Sequence, residues 1–98
     1  MKKLFIAAFM LVSSFGTNVM ADGHAIKMGI ILGFTGPIES LTPAMAGSAE
    51  LAFKEASDSG SLLGGKKIEV VRADSTCVDS AAATAAAEGV ISQGVAAI

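Results

Sequence analysis

Residues 26–33 read IKMGIILG and run on through GFTGPIESL, which ends at Leu41. An aliphatic, β-branched run closed by glycine is how a strand buried on both faces is written, because helices above and below leave it no polar side. The stretch therefore predicts a central strand, with a long turn-rich loop, Gly33 to Leu41, leaving its carboxyl end. Thr42-Pro43 is expected to open a helix. Threonine would supply a capping oxygen and proline suits the first helical position. Met45, Ala49, Ala52, Phe53 and Ala56 recur at helical spacing and make one apolar face. Glu50 and Lys54, four apart, form a favourable pair on the other side. Ser57 to Ser61, with Gly60, ends the helix.

Gly64-Gly65 turns the chain into a second strand, Ile68 to Asp74 (IEVVRAD). Its Glu69 and Arg72 suit an edge, where one flank meets water. Asp79 is placed to cap a second helix that runs to about Gln93. That helix is rich in alanine, which favours helix and permits close approach to a sheet. Gly94 stops it, and Val95 to Ile98 begins a third strand. Strands alternating with helices imply parallel pairing and right-handed crossovers. The most apolar strand belongs in the centre, so the expected order is two-one-three, with one helix on each face. This is the start of a doubly wound α/β domain. A third strand at residues 95–98 would show an open apolar edge. The sequence is therefore read as an amino-terminal part of a lobe, and residues 22–98 alone are expected to fold poorly.

The chain has 98 residues, 52% apolar and 16% charged, with a net charge of −2. Disorder needs the opposite balance. No basic patch exists to neutralise phosphates, which argues against nucleic acid as a partner. One cysteine excludes an internal disulfide framework. Lys2-Lys3, the apolar run Leu4 to Val12, a small polar stretch and Val19-Met20-Ala21 have the layout of a secretory signal, with cleavage expected after Ala21. The apolar run is less than half the roughly 20 residues of a spanning helix. Residues 1–21 are thus read as signal peptide and 22–98 as a partial domain. Cleavage removes two of the seven basic residues and none of the nine acidic ones.

In an open α/β sheet, ligands bind outside the carboxyl ends of the strands, where the strand order reverses. Order two-one-three places that point between strands one and three, so the loop Gly33–Leu41 forms half of the expected site. It is longer than the usual 2–6 residues. Gly33 and Gly36 let the backbone turn tightly and approach a small molecule, and replacing Gly36 by valine should weaken binding more than folding. Thr35, Ser40 and Thr42 offer hydroxyls, and the first helix adds amide groups at its positive end. The candidate ligand-binding residues are Thr35, Gly36, Ser40 and Leu41. The loop lacks G-x-G-x-x-G, G-K-[ST] and G-x-S-x-G, so dinucleotide, nucleoside-triphosphate and nucleophile-elbow chemistry find no support. No catalytic residue, metal cluster or cofactor motif stands out, and the lone His24 near the cleavage point reads as solvent-exposed. Asp74 ends strand two, where a carboxylate could face a ligand, although hydrogen bonding to the turn Ser75-Thr76 is the plainer role. Cys77 follows in an exported chain, where an unpaired thiol is a liability. It is either a disulfide half whose partner lies beyond residue 98 or a buried free thiol.

IKMGIILGFTGPIESLTPAMAGSAELAFKEA, followed by GGKKIEVVRADSTCVDSAAATAAAEGVI, resembles the start of the periplasmic leucine/isoleucine/valine-binding proteins. These are the branched-chain amino-acid receptors of ABC importers. Thr35-Gly36-Pro37 after an apolar strand is the most specific part. The Gly64-Gly65 turn, the Asp74 strand end and the alanine-rich helix add to it. The resemblance implies two α/β lobes that close on a small solute, an inner-membrane ABC permease as partner, a periplasmic location and no enzymatic turnover. It places the position of Leu41 near the ligand. It assigns the solute's carboxylate to later loops of this lobe and its ammonium to the other lobe. It also pairs a cysteine after strand two, here Cys77, with one after strand three. Leucine stands at position 41 where many members carry an aromatic residue, and Ser61-Leu62-Leu63 looks inserted. The alternative reading is an extracytoplasmic sensor domain of the same fold, signalling to a membrane partner. An enzyme would need a nucleophile and base that these residues do not show.

Overall fold

The computed structural model describes residues 25–98, and the signal segment expected at 1–21 and His24 lie outside the described residues. Strand β1 spans Ile26–Leu32, helix α1 Thr42–Asp58, strand β2 Ile68–Asp74 and helix α2 Ser80–Ser92, with a 3-10 turn at Leu63–Gly65 before β2. β1 and β2 pair in parallel, from Ile26 opposite Ile68 to Leu32 opposite Asp74.

The backbone of β1 serves both of its edges. The Ile26 N–H donates to Lys67 O at 2.8 Å, and the Ser75 N–H donates to Leu32 O at 2.9 Å, so the even residues face β2. The odd residues face the other way: the Gly29 N–H donates to Ala97 O at 2.8 Å, and Lys27 O accepts from the Ala96 N–H at 2.7 Å. Residues 95–98 thus lie alongside β1 on the edge away from β2, in the expected order two-one-three. They form a single parallel bridge, Met28 to Ala97, rather than a full ladder. Among the described residues β2 pairs only with β1, which leaves it at an edge, as its charges require.

Strand parity puts one helix on each face. Arg72 shares the Ile30 side of the sheet. Its guanidinium is bonded to Glu50 of α1, so α1 covers that face. The opposite face carries Gly29, and a Cβ there would stand 3.4 Å from Val90 of α2. Glycine lets the alanine-rich helix sit close. The core is small: Ile30, Ala46 and Val90 are buried, as is the polar Thr42.

Three local expectations change. Thr42 does not cap α1. The residue before the helix is Leu41, and no side chain caps it. The Thr42 hydroxyl instead donates to Gly33 O at 3.0 Å and is fully buried, tying the helix start back to the end of β1. Glu50 and Lys54 do not pair with each other. Glu50 takes Arg72, and Lys54 bonds Asp58 one turn on. The inward stripe of α1 runs through Thr42, Ala46, Ala49, Phe53 and Ala56, while Met45 and Ala52 are exposed. The anchored Thr42 sets that rotation, because positions four and seven further on must then face the sheet.

Other boundaries agree with expectation. Asp79 Oδ1 accepts from the Ala81 N–H at 2.8 Å, which caps α2. Gly94, at φ +77°, ends that helix in the left-handed region. Ser57 Oγ accepts the Ile68 N–H at 3.0 Å, joining the end of α1 to the start of β2.

Thr42→Val keeps the shape of the side chain and removes its donor, leaving the Gly33 carbonyl unpaired. Urea unfolding of the full chain should show a loss of about 1–3 kcal/mol, and Thr42→Ser should recover most of it. An unchanged midpoint for Thr42→Val would mean the bond carries no weight.

Candidate functional site

Both strands end on the same edge of the sheet, and the loops that leave them meet there. The first loop, residues 33–41, touches the end of β2 and the second loop, residues 74–79 together, at three places. Gly33 lies under Cys77, where a Cβ would come within 2.8 Å of Sγ. Gly36, at φ +98°, lies against the Thr76 carbonyl, with a virtual Cβ at 2.7 Å. Thr35 is bonded to Asp74 through two groups, its hydroxyl at 2.5 Å from Oδ2 and its amide at 3.3 Å from Oδ1. Asp74 Oδ1 also accepts the Thr76 N–H at 2.9 Å.

These contacts decide what each candidate residue can do. Thr35 is exposed, but its hydroxyl is held by Asp74. Gly36 is exposed and shapes the turn against Thr76. Ser40 is exposed, and its hydroxyl has no protein partner among the described residues. Leu41 stands 61% exposed at the entrance to α1. The start of α1 offers less to an anion than its dipole suggests. The Thr42 N–H is bonded to Ile38 O at 3.3 Å and the Met45 N–H to Leu41 O at 3.3 Å. Pro43 has no N–H, so among these residues Ala44 is left to donate.

Asp74 takes the role the sequence favoured, bonding the turn at Thr76, and adds one the sequence did not show, the bond to Thr35. The signal for that second role was a carboxylate at the strand end opposite a threonine in the neighbouring loop, legible only once the register is known. The hydrogen bonds from Thr35 and Thr76 stabilise the charged form and hold the Asp74 carboxyl below its ordinary value, against a smaller opposing effect of desolvation. Among the described residues Cys77 is an exposed free thiol. Thr76 and Cys77 both adopt left-handed backbone, at φ +59° and +63°.

Arg72 anchors the same loop from the next position on that face. Its guanidinium grips Glu50 with two bonds, at 2.6 and 2.8 Å, and stands 5.5 Å from the centre of the Phe34 ring. An open groove lined by Glu50, Lys54, Ser57, Asp58, Lys67 and Ile68 lies elsewhere, beside the amino end of β2. It shares none of the candidate residues, and Glu50, which lines it, also holds Arg72.

A parallel α/β sheet whose long first loop is fixed at the carboxyl edge defines a class of folds that take small ligands at that edge. The periplasmic binding protein family profile matches residues 25–98, every described residue of the chain, and the chain belongs to that family. Comparison with curated proteins and with solved structures gives no match.

Two outcomes follow from the junction. In a carbon-detected pH titration of the full chain, the Asp74 carboxyl should titrate below the ordinary aspartate value, and Thr35→Val should move it back up. Because that pKa is lowered by folding, the Asp74 contribution is present at neutral pH and disappears as pH falls through the lowered value. An Asp74 carboxyl that titrates normally would contradict the bonding. Gly36→Ala meets both a left-handed backbone and the Thr76 carbonyl, so it should lower unfolding stability by about 1–2 kcal/mol.

Proposed function

We propose that the chain is the solute-binding component of an ABC importer, exported by a cleaved signal at residues 1–21 and acting in the periplasm. The observation that carries this is family membership over residues 25–98, in a chain whose long first loop stands at the carboxyl edge of its parallel strands. The solute is a branched-chain amino acid or a close relative. That choice rests on the sequence resemblance and on Leu41, an exposed apolar side chain at the loop's end.

In this reading the protein grips its solute between two lobes and releases it to an inner-membrane permease without changing it. Hinge closure is driven by solute contacts with both lobes. Ser40 offers a hydroxyl and Leu41 an apolar surface, while Thr35 and Gly36 hold the loop that presents them. No cofactor takes part. Cys77 pairs with a cysteine of the following loop.

Calorimetric titration of the full-length protein, both lobes included, with L-leucine, L-isoleucine and L-valine should show binding to at least one. X-ray scattering should show a smaller radius of gyration on saturation, and the amino acid should be recovered unaltered. Leu41→Ala should weaken affinity about tenfold, since burying a leucine side chain is worth roughly 1.5–3 kcal/mol. Failure to bind any of the three would remove the substrate assignment. Consumption of the amino acid would remove the non-enzymatic reading.

A further inference from the structure

Residues 34 and 35 of the first loop are held from β2 by two side chains on one face of that strand. Arg72, fixed by Glu50, lies over Phe34. Asp74, two residues on, accepts from both donors of Thr35, its hydroxyl and its amide, and from the Thr76 amide. Asp74 is thereby bonded to both loops at once. The second loop needs such support, because Thr76 and Cys77 are consecutive left-handed residues and neither is glycine. The first loop needs it too. Beyond Gly36 its backbone turns on itself, through the Glu39 N–H to Gly36 O at 3.3 Å and the Leu41 N–H to Ile38 O at 2.9 Å, before Thr42 anchors the helix.

We propose that Asp74 is a positioning residue for solute binding: it bonds both loops, does not touch the solute, and fixes the arrangement in which Ser40 and Leu41 stand at the carboxyl edge. This rests on the solute-binding reading above. The Thr35–Asp74 bond is the working contact. Loss of either partner frees the same segment, so the two residues act as one unit.

The test uses the full chain and four variants: Asp74→Ala, Thr35→Val, both together, and Thr35→Ser. The first readout needs no solute. Native-state digestion with a glutamate-specific protease compares cutting after Glu39, in the loop, with cutting after Glu88, in α2. Each of the first two variants should raise the Glu39 rate relative to Glu88 roughly fivefold. The double variant should do no more than the larger single one, because coupled residues are not additive. Thr35→Ser, which keeps the hydroxyl, should retain most of what Thr35→Val loses. The second readout is affinity for L-leucine, L-isoleucine or L-valine, which should fall about tenfold with the same non-additive pattern. Additive effects, or Glu39 and Glu88 cutting that rises equally, would overturn the clasp. A loosened loop with unchanged affinity would overturn the positioning role. A parent chain that binds none of the three amino acids would instead sink the solute reading and with it the role toward solute, while the digestion judges the clasp by itself.

Discussion

Parallel pairing of β1 is the constraint on which the rest depends. Parallel neighbours cannot be joined by a tight hairpin, so each connection must cross the sheet as a helix and re-enter from the same end. The loops that follow β1 and β2 are thereby delivered to one edge. Because the odd and even amides of β1 point to opposite sides, one strand organises both neighbours: β2 through Ile26 and Leu32, residues 95–98 through Lys27 and Gly29. An antiparallel arrangement of the same segments would separate Gly33 from Cys77 and Thr35 from Asp74, and no junction would exist.

At that junction, most polar groups are committed to holding shape. The Thr42 hydroxyl is buried on the Gly33 carbonyl, and the Thr35 hydroxyl is on Asp74. The Arg72 charge is matched by Glu50 while its flat face meets Phe34. Two glycines, Gly33 and Gly36, are needed because the opposing loop comes closer than any Cβ allows. The first loop is thus fixed to its neighbours at its root, and from Gly36 to Thr42 its backbone bonds to itself.

The elements themselves were legible because their signals are local. The apolar run of β1, the charges of β2, Asp79 before α2 and Gly94 after it each speak for a few neighbouring residues. What the sequence hid were choices made at long range. Thr42 had two acceptable uses, capping its own helix or bonding a carbonyl nine residues back, and the path of the loop decided for the second. Glu50 had Lys54 within one turn, yet Arg72, twenty-two residues away, offers a planar two-bond fit that an ammonium lacks. The helix face was misplaced by the same cause. Ala46, small and unremarkable in sequence, is fully buried, while the larger Met45 is 53% exposed. Of the candidate ligand residues, Thr35 is engaged with Asp74 at the end of β2 and Gly36 with Thr76 of the neighbouring loop, a fact that depends on the β1–β2 register and so cannot be read from either segment alone.

The charge of Asp74 bears on what this edge can recognise. An amino-acid solute carries a carboxylate, and a bare aspartate beside its site would repel it. Here the carboxylate is met by three donors, two from Thr35 and one from Thr76, which hold it ionised and spread its charge over the loop backbone. Those same donors would otherwise be the obvious ones for the solute. Their engagement, together with the missing amide of Pro43 and the bonded amides of Thr42 and Met45, takes Thr35 and most of the start of α1 out of anion binding and leaves the Ser40 hydroxyl and the Ala44 amide. In the proposed function, the loop contributes shape, the Ser40 hydroxyl and the apolar contact of Leu41, and the family resemblance assigns the solute's carboxylate to other loops along the carboxyl edge.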